Sequence, residues 1–438
     1  FGWDENNDYA VVATKDGQTV EATTLRMWNP IGNSTTESYF AGHFDGQGHD
    51  ISGLYYHKGK DSIAGVFCGI SGNTTACVTV EKVGLYNSYI YGEYQTGAIA
   101  GYAKYANFDQ CYNAAYLVVD YMGYGIGGIV GGTVGKITLN ELFNVGNLSI
   151  AGDRDENERP AYKGQLVGGI SFSEDEKYCS SCYGCSDTST TFFGDYSFNG
   201  EAFLAKESFY NGEAAYLLSQ LSSSWGQNLS SNNSLPNPCV SEKYKVYKTC
   251  TGYTNDASEV HHIVKNGFCT NAGCDYYEEP HYNEKDDVYE ISNAGQLYAY
   301  ADKAQTVYKK GARLTADIVV NEGTLIQEDG TPVAETADIR MWDGLFRKFG
   351  NLYYYNQKLV FDGNNHSISG LYASGSGPQG LALHNYGTVK NLQIKNSVFI
   401  STDGKAGGID SGYTDGPGDY KVVNCSFEGY VEGAKSAG

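Results

Sequence analysis

Proline, methionine and positive charge are all scarce in this chain, with 8 Pro, 3 Met and 30 Lys plus Arg among 438 residues. Against 51 Asp plus Glu, those cations leave a formal charge of −21. That balance repels phosphate backbones and anionic lipid surfaces, so nucleic acid is not expected as a partner. Long apolar runs are missing too. The most apolar stretch, Ile126 to Val134, is interrupted by glycines and falls far short of the roughly 20 apolar residues that a spanning helix needs, so no membrane insertion is expected. The Ala, Glu, Lys and Leu that fill long helices are thin, which disfavours a helical bundle. The first residues, Phe1-Gly2-Trp3-Asp4, carry neither an initiating Met nor a targeting pattern. The sequence therefore reads as a piece cut from a longer chain, with any signal segment expected upstream.

What the chain does have is glycine, tyrosine and an internal repeat. Its 41% hydrophobic and 14% aromatic content is enough apolar surface to offset the entropy of ordering. The twelve residues Phe44 to Tyr55 recur at Phe361 to Tyr372 with nine identities. Arg26-Met27-Trp28 returns as Arg340-Met341-Trp342, Val80 to Ser88 is echoed by Val389 to Ser397, and Cys111 by Cys425. Four anchors in one order at one offset of roughly 314 residues define a module. Within it, runs with apolar residues at alternate positions, such as Val78-Thr79-Val80 and Leu392-Gln393-Ile394, read as strands of three to five residues. Gly97 to Gly101, Gly127 to Gly132, Gly168-Gly169-Ile170 and Gly407-Gly408-Ile409 separate such runs. Each is expected to turn where glycine permits positive φ, which favours an all-β chain built as a parallel β-helix.

The predicted domains are a β-helix over 1–200, a helical and Cys-rich connecting segment over 201–285 and a second β-helix over 286–438. In the connecting segment, Glu201 to Leu221 reads as two short helices around Asn211-Gly212. Tyr244 to Tyr247 alternates like an edge strand. A capping helix is expected from Ser292, its predicted N-cap, with Leu297, Tyr300, Ala301 and Ala304 on one face, and Leu314 to Asn321 follows as the first strand of the second module.

Residue types that carry chemistry fall in several places. Asp45-Gly46 and Asp362-Gly363, each followed by a histidine (His49, His366), are the obvious carboxylates for glycoside hydrolysis. Their recurrence in a repeated turn instead gives them a structural role, since Asp before Gly bonds its own backbone. Asp153, Asp155 and Glu156 form an acidic loop, a candidate for calcium. His261, His262, Cys269, Cys274 and His281 are a candidate zinc set, because imidazole and thiolate suit that ion. The competing and preferred reading pairs Cys239 with Cys250 and Cys269 with Cys274 as disulfides, and Cys179, Cys182 and Cys185 raise the same question. Cys68, Cys77, Cys111 and Cys425 lie in apolar runs, where a small buried hydrophobe competes with a bridge. Asn33, Asn73, Asn147, Asn228, Asn232, Asn365 and Asn424 head glycosylation sequons. Tyr353 to Tyr355, Tyr91/Tyr94 and Tyr121/Tyr124 could stack on sugar rings.

The Phe-Asp-Gly-x-x-His-x-Ile-Ser-Gly-Leu-Tyr element, with Gly-Gly-Ile turns downstream, resembles the GLUG-type right-handed β-helix repeats of large bacterial secreted and surface proteins. Tyr289 to Leu297 with Ala316-Asp317-Ile318 is similar to the opening of such modules, and Asn211 to Leu218 with Trp225-Gly226-Gln227 to their closing segment. The resemblance implies right-handed parallel β-helix modules at the cell surface with a structural or adhesive role and no catalytic residue. Neighbouring copies or modules end to end, and host or plant glycans and proteins, are the partners it implies. A polysaccharide-binding or polysaccharide-degrading β-helix protein is the alternative.

Overall fold

The computed structural model describes residues 1–58, 63–121, 123–152, 161–171, 177–186, 191, 201–220, 222, 224–238, 240–304, 310–336, 338–346, 359–383, 387–411 and 421–438. Strand accounts for 49% of the chain and helix for 9%, with a parallel curled sheet, so the all-β expectation holds. Two compact units divide the chain at Val260/His261. The segment 201–285 is thereby shared, its larger part belonging to the first unit.

In the first unit each long strand pairs in parallel with the strand some thirty residues further on. Val80 lies between Phe44 and Phe108, Phe108 beside Leu139, and Leu139 beside Cys179. A second column runs Phe67, Ala100, Val130, Val167 and a third Ile90, Leu117, Leu148. All of these except the two ends, Phe44 and Cys179, are at most 4% exposed. Parallel pairing sets equivalent residues about 4.8 Å apart, so short alternating runs become continuous apolar columns.

Corners between strands are made by residues with a left-handed backbone. Lys82, Gln110, Glu141 and Ser181 have φ of 53°, 53°, 52° and 51°, and the residue after each (Val83, Cys111, Leu142, Cys182) is buried. The Cys179-x2-Cys182-x2-Cys185 spacing is explained here. Those cysteines stand where the preceding coil puts Leu139, Leu142 and Val145, as the pairings of Leu139 with Cys179 and Phe143 with Tyr183 require. Cys182 and Cys185 are fully buried, and the Cys182 thiol points at the Leu139 carbonyl.

The glycine-rich turns correct the sequence expectation. None of Gly97, Gly101, Gly127, Gly128, Gly131, Gly132, Gly168, Gly169, Gly407 and Gly408 has positive φ. A Cβ on Gly97 would instead lie 2.3 Å from the Ala100 carbonyl oxygen, and one on Gly127 2.1 Å from that of Val130. These residues are glycine because another backbone occupies the side-chain space, while the left-handed corners fall to Lys82, Gln110, Glu141 and Ser181.

A short antiparallel sheet, Gly2–Asp4, Ala10–Lys15 and Gln18–Val20, brings Trp3 and Tyr9 against Tyr55, Tyr89 and Tyr91. Downstream, the first of the two predicted helices is a single 3-10 turn, Lys206–Phe209, preceded by a strand, Glu201–Leu204. Gly212 (φ 102°) then starts helix α1, Glu213–Ser219. Phe209, Ala214, Leu218 and Trp225 bury themselves against Tyr112, Phe143 and Cys185. Tyr244 ends a 3-10 turn, and only Tyr247–Lys248 is strand. The lone apolar alternation there is too short to hold a ladder by itself.

The second unit repeats the columns: Ala312, Phe361, Val389 and Val422 in one, Ile318, Ile368, Ile394 and Phe427 in another. Helix α2, Ala294–Lys303, precedes them, and Leu297, Tyr300, Ala301 and Ala304 are buried as expected. Its N-cap is Asn293, whose Oδ1 accepts from Gln296 N at 2.9 Å. Gln296 Oε1 accepts Ser292 N at 2.8 Å, one residue before the cap, so the helix starts one residue later than the Ser292 expectation and the return bond falls just outside a capping box.

The sequence repeat is a repeat of bonds. Trp28 N donates to Tyr55 O and Trp342 N to Tyr372 O, both at 2.7 Å. Ser88 Oγ accepts Leu54 N and donates to Tyr86 O, and Ser397 Oγ does the same with Leu371 N and Lys395 O. Cys111 Sγ approaches Val80 O and Asp109 O, and Cys425 Sγ approaches Val389 O and Val423 O, at 3.6 and 3.3 Å in each pair.

Candidate functional site

The repeated Phe-Asp-Gly corner is the first candidate. Asp45 Oδ1 accepts Gln47 N at 2.8 Å and Asp362 Oδ1 accepts Asn364 N at 2.9 Å. The donating residues, Gln47 and Asn364, are left-handed, with φ of 54° and 50°. Asp362 also takes Asn391 Nδ2 at 3.0 Å and pairs with Lys390 at 3.1 Å. Partial burial pushes its carboxyl up, but the N–H of Asn364, Asn391 and Lys390 outweigh it and hold the pKa below the ordinary carboxylate value. Gly46 and Gly363 face the carbonyls of Lys82 and Asn391, 2.5 and 2.4 Å from a would-be Cβ. His366 pairs with Asp317 at 3.4 Å. Each aspartate thus spends its oxygen on the corner.

A stability comparison follows from this geometry. Asp362→Asn keeps an acceptor for Asn364 N and should cost little. Asp362→Leu removes it and, because Asn364 is exposed, should cost about 0.5–1.5 kcal/mol. Urea unfolding of the two variants measures this; equal losses for Asn and Leu would mean that the charge, through Lys390, carries the effect.

The second candidate lies at the start of the second unit and is built by a hairpin. Val264–Lys265 and Phe268–Cys269 pair antiparallel across Asn266-Gly267, with φ of 52° and 80°. Asn-Gly supplies these left-handed values in the two-residue turn that matches strand twist. The chain then folds back through Asn271 to Cys274, where Cys274 N donates to Asn271 O and Gly273 has φ 75°. Cys269 N donates to Tyr276 O at 3.0 Å. His262 stacks flat on Tyr276, with ring centroids 3.8 Å apart, and its Nδ1 lies 3.5 Å from Cys274 Sγ. One ligand atom each from His262, Cys269 and Cys274 fall within 4.8 Å of one another. Cys269 is buried and the other two are half-buried.

Of the five predicted zinc candidates, the hairpin brings together His262, Cys269 and Cys274. His261 is exposed in the sequence before the hairpin, and His281 is exposed at the head of His281–Asn283, paired with Glu290. Cys250 belongs to the first unit, and Cys239, Asp153, Asp155, Glu156 and Tyr353 to Tyr355 lie outside the described residues. Three sequon asparagines serve their own turns: Asn33, Asn73 and Asn228 accept the backbone N–H of Thr36, Thr75 and Ser230. Asn424 donates to Asn391; Asn232 and Asn365 are exposed and Asn147 half-buried.

Sequence reasoning missed two features, a buried glutamate and the way the named Tyr94 and Tyr124 line up with Tyr162. Glu141 is 5% exposed, accepting from Trp225 Nε1 at 2.8 Å and Gln110 Nε2 at 2.7 Å. Burial raises its pKa against the opposing pull of those two bonds. The other is a tyrosine column, Tyr94, Tyr124 and Tyr162, with centroids 5.9 and 5.8 Å apart and Tyr94 47% exposed. Only the pairing of Gln95 with Gly125 and of Gly125 with Tyr162 brings them together. No protein-family model matches this chain, and no curated protein or solved structure resembles it beyond chance.

Proposed function

We propose that the chain is an extracellular structural or adhesive repeat protein built from right-handed parallel β-helix modules, without catalysis of its own. The observation that carries this reading is the duplicated bond set. The corner, the Trp anchor, the serine bridge and the cysteine rung recur at one spacing, as a module copied for its architecture would have them. Parallel strands joined by crossovers close right-handed in nearly all proteins, which supports the handedness. The GLUG-type resemblance of Phe44 to Tyr55 and Phe361 to Tyr372 supports the surface location. In this reading modules stack end to end, because a coil edge left open invites strand pairing.

The tyrosine column favours one second reading, polysaccharide binding, since exposed aromatic faces stack on sugar rings. A glycan array together with a reducing-sugar release assay on the purified protein tests both. No released sugar is the expected result. Array binding that Tyr94→Ala abolishes would make the module a polysaccharide binder, and sugar release lost in Asp45→Asn at unchanged melting temperature would overturn the non-catalytic reading.

A further inference from the structure

We propose that His262, Cys269 and Cys274 bind a zinc ion, which clasps the hairpin onto the start of the second unit. With Zn–S near 2.3 Å and Zn–N near 2.05 Å, two donors of a tetrahedral site lie about 3.6 Å apart. The Nδ1–Sγ distance of 3.5 Å between His262 and Cys274 already has that length, and Cys269 Sγ lies within 4.8 Å of both. A disulfide would need two sulfurs only. It gives no reason for an imidazole nitrogen to converge on the same point, or for its ring to be held flat against Tyr276. Imidazole and thiolate donors converging from a turn, a strand and a loop are what borderline-soft zinc selects.

The placement says what the ion would do. Strand alternation puts Phe268 on one side of the hairpin and Cys269 on the other. Phe268 enters the core with Ile291, Leu297 and Tyr300, meets Tyr298 edge-on at 5.2 Å and lies under the Arg340 guanidinium at 3.6 Å. At the tip, Asn266 Oδ1 accepts Ala294 N at 3.2 Å, Asn266 O accepts Gly295 N at 3.0 Å, and Asn266 Nδ2 donates to Val319 O at 2.7 Å. The tip therefore satisfies first-turn N–H groups of helix α2 and touches the first coil. A Cβ on Gly295 would lie 2.0 Å from Gly267 O, so the two backbones are in direct contact. Metal at the far face of so short a hairpin would hold the whole cap in place.

The test is metal analysis of the full chain purified under reducing conditions, followed by cobalt substitution. One zinc per chain is expected, with tetrahedral cobalt bands in the visible and thiolate-to-cobalt charge transfer from at least two sulfurs. Cys274→Ser, in a half-buried loop, should weaken zinc binding at least tenfold while leaving far-ultraviolet circular dichroism unchanged, and His262→Asn should do the same with the charge transfer retained. Removing zinc with a chelator should speed amide exchange at least tenfold across Phe268 to Tyr277 and the first turn of α2. Reduced protein that takes up no stoichiometric zinc would overturn the site, as would peptide mapping that finds a Cys269–Cys274 disulfide unaffected by added zinc. Sugar binding or cleavage bears on the proposed function and leaves this site untouched.

Discussion

Gly127→Ala should destabilise the first unit by about 3 kcal/mol, the upper end of what overpacking a rigid site costs. The added methyl carbon would stand 2.1 Å from Val130 O, 2.6 Å from Gly168 N and 2.7 Å from Leu166 O. Every one of those atoms is backbone, so no side chain can swing away to make room. Gly127 is also the middle rung between Gly97 and Gly164, and any shift that relieves it is passed to the coils on both sides. Gly17→Ala is the control. Its φ is 76° and nothing lies within 4 Å of a Cβ, so it should cost only about 1 kcal/mol for the left-handed backbone. Urea unfolding followed by tryptophan fluorescence, with three of the four Trp in the first unit, measures both. Equal losses would mean that conformational freedom, and not close approach, explains the glycine-rich turns.

Asn144→Leu is expected to cost about 3 kcal/mol or more, although leucine has the same branching and number of side-chain heavy atoms as asparagine. Asn144 is fully buried. Its Oδ1 accepts Asn113 Nδ2 at 2.8 Å and Gly146 N at 3.1 Å, and its Nδ2 donates to Gln165 Oε1 at 2.7 Å. Gln165 Nε2 continues the line to Cys185 O at 2.6 Å. Substitution leaves several buried polar groups short of a bond, and each such group costs about 1–3 kcal/mol. Asn113→Leu, which breaks one rung and the Ala115 N–H bond at 3.0 Å, should cost less. A loss below 1 kcal/mol for Asn144→Leu, read from the same urea transition, would show that the polar column adds nothing to the apolar ones beside it.

By itself the sequence determined the module. Phe44 to Tyr55 and Phe361 to Tyr372 repeat because the same corner bonds must be made twice, and a bond set made by local residues leaves a local signature. Short alternating runs announced strands, since one face of each is apolar whatever its neighbour is. The apolar face of α2 was legible for the same reason, at a period of 3.6. Asp45 and Asp362 could be read as turn formers because their partners, Gln47 N and Asn364 N, are two residues away.

Tertiary structure alone decided whatever depends on a neighbouring coil. Gly127 is glycine because of Val130 O, Leu166 O and Gly168 N, and the last two belong to a coil some forty residues on, so no local pattern separates that need from a demand for positive φ. Cys179, Cys182 and Cys185 read from the chain as disulfide or zinc candidates, and only their register against Leu139 and Phe143 makes them rungs of a core. Tyr94 and Tyr162 are 68 residues apart and join one column, each against Tyr124, only through the parallel ladder. His262, Cys269 and Cys274 could be named from the chain, but a chain position carries no direction. The Asn266-Gly267 turn, the fold-back through Gly273 and the stack on Tyr276 are what aim three donors at one point and leave His261 and His281 aside.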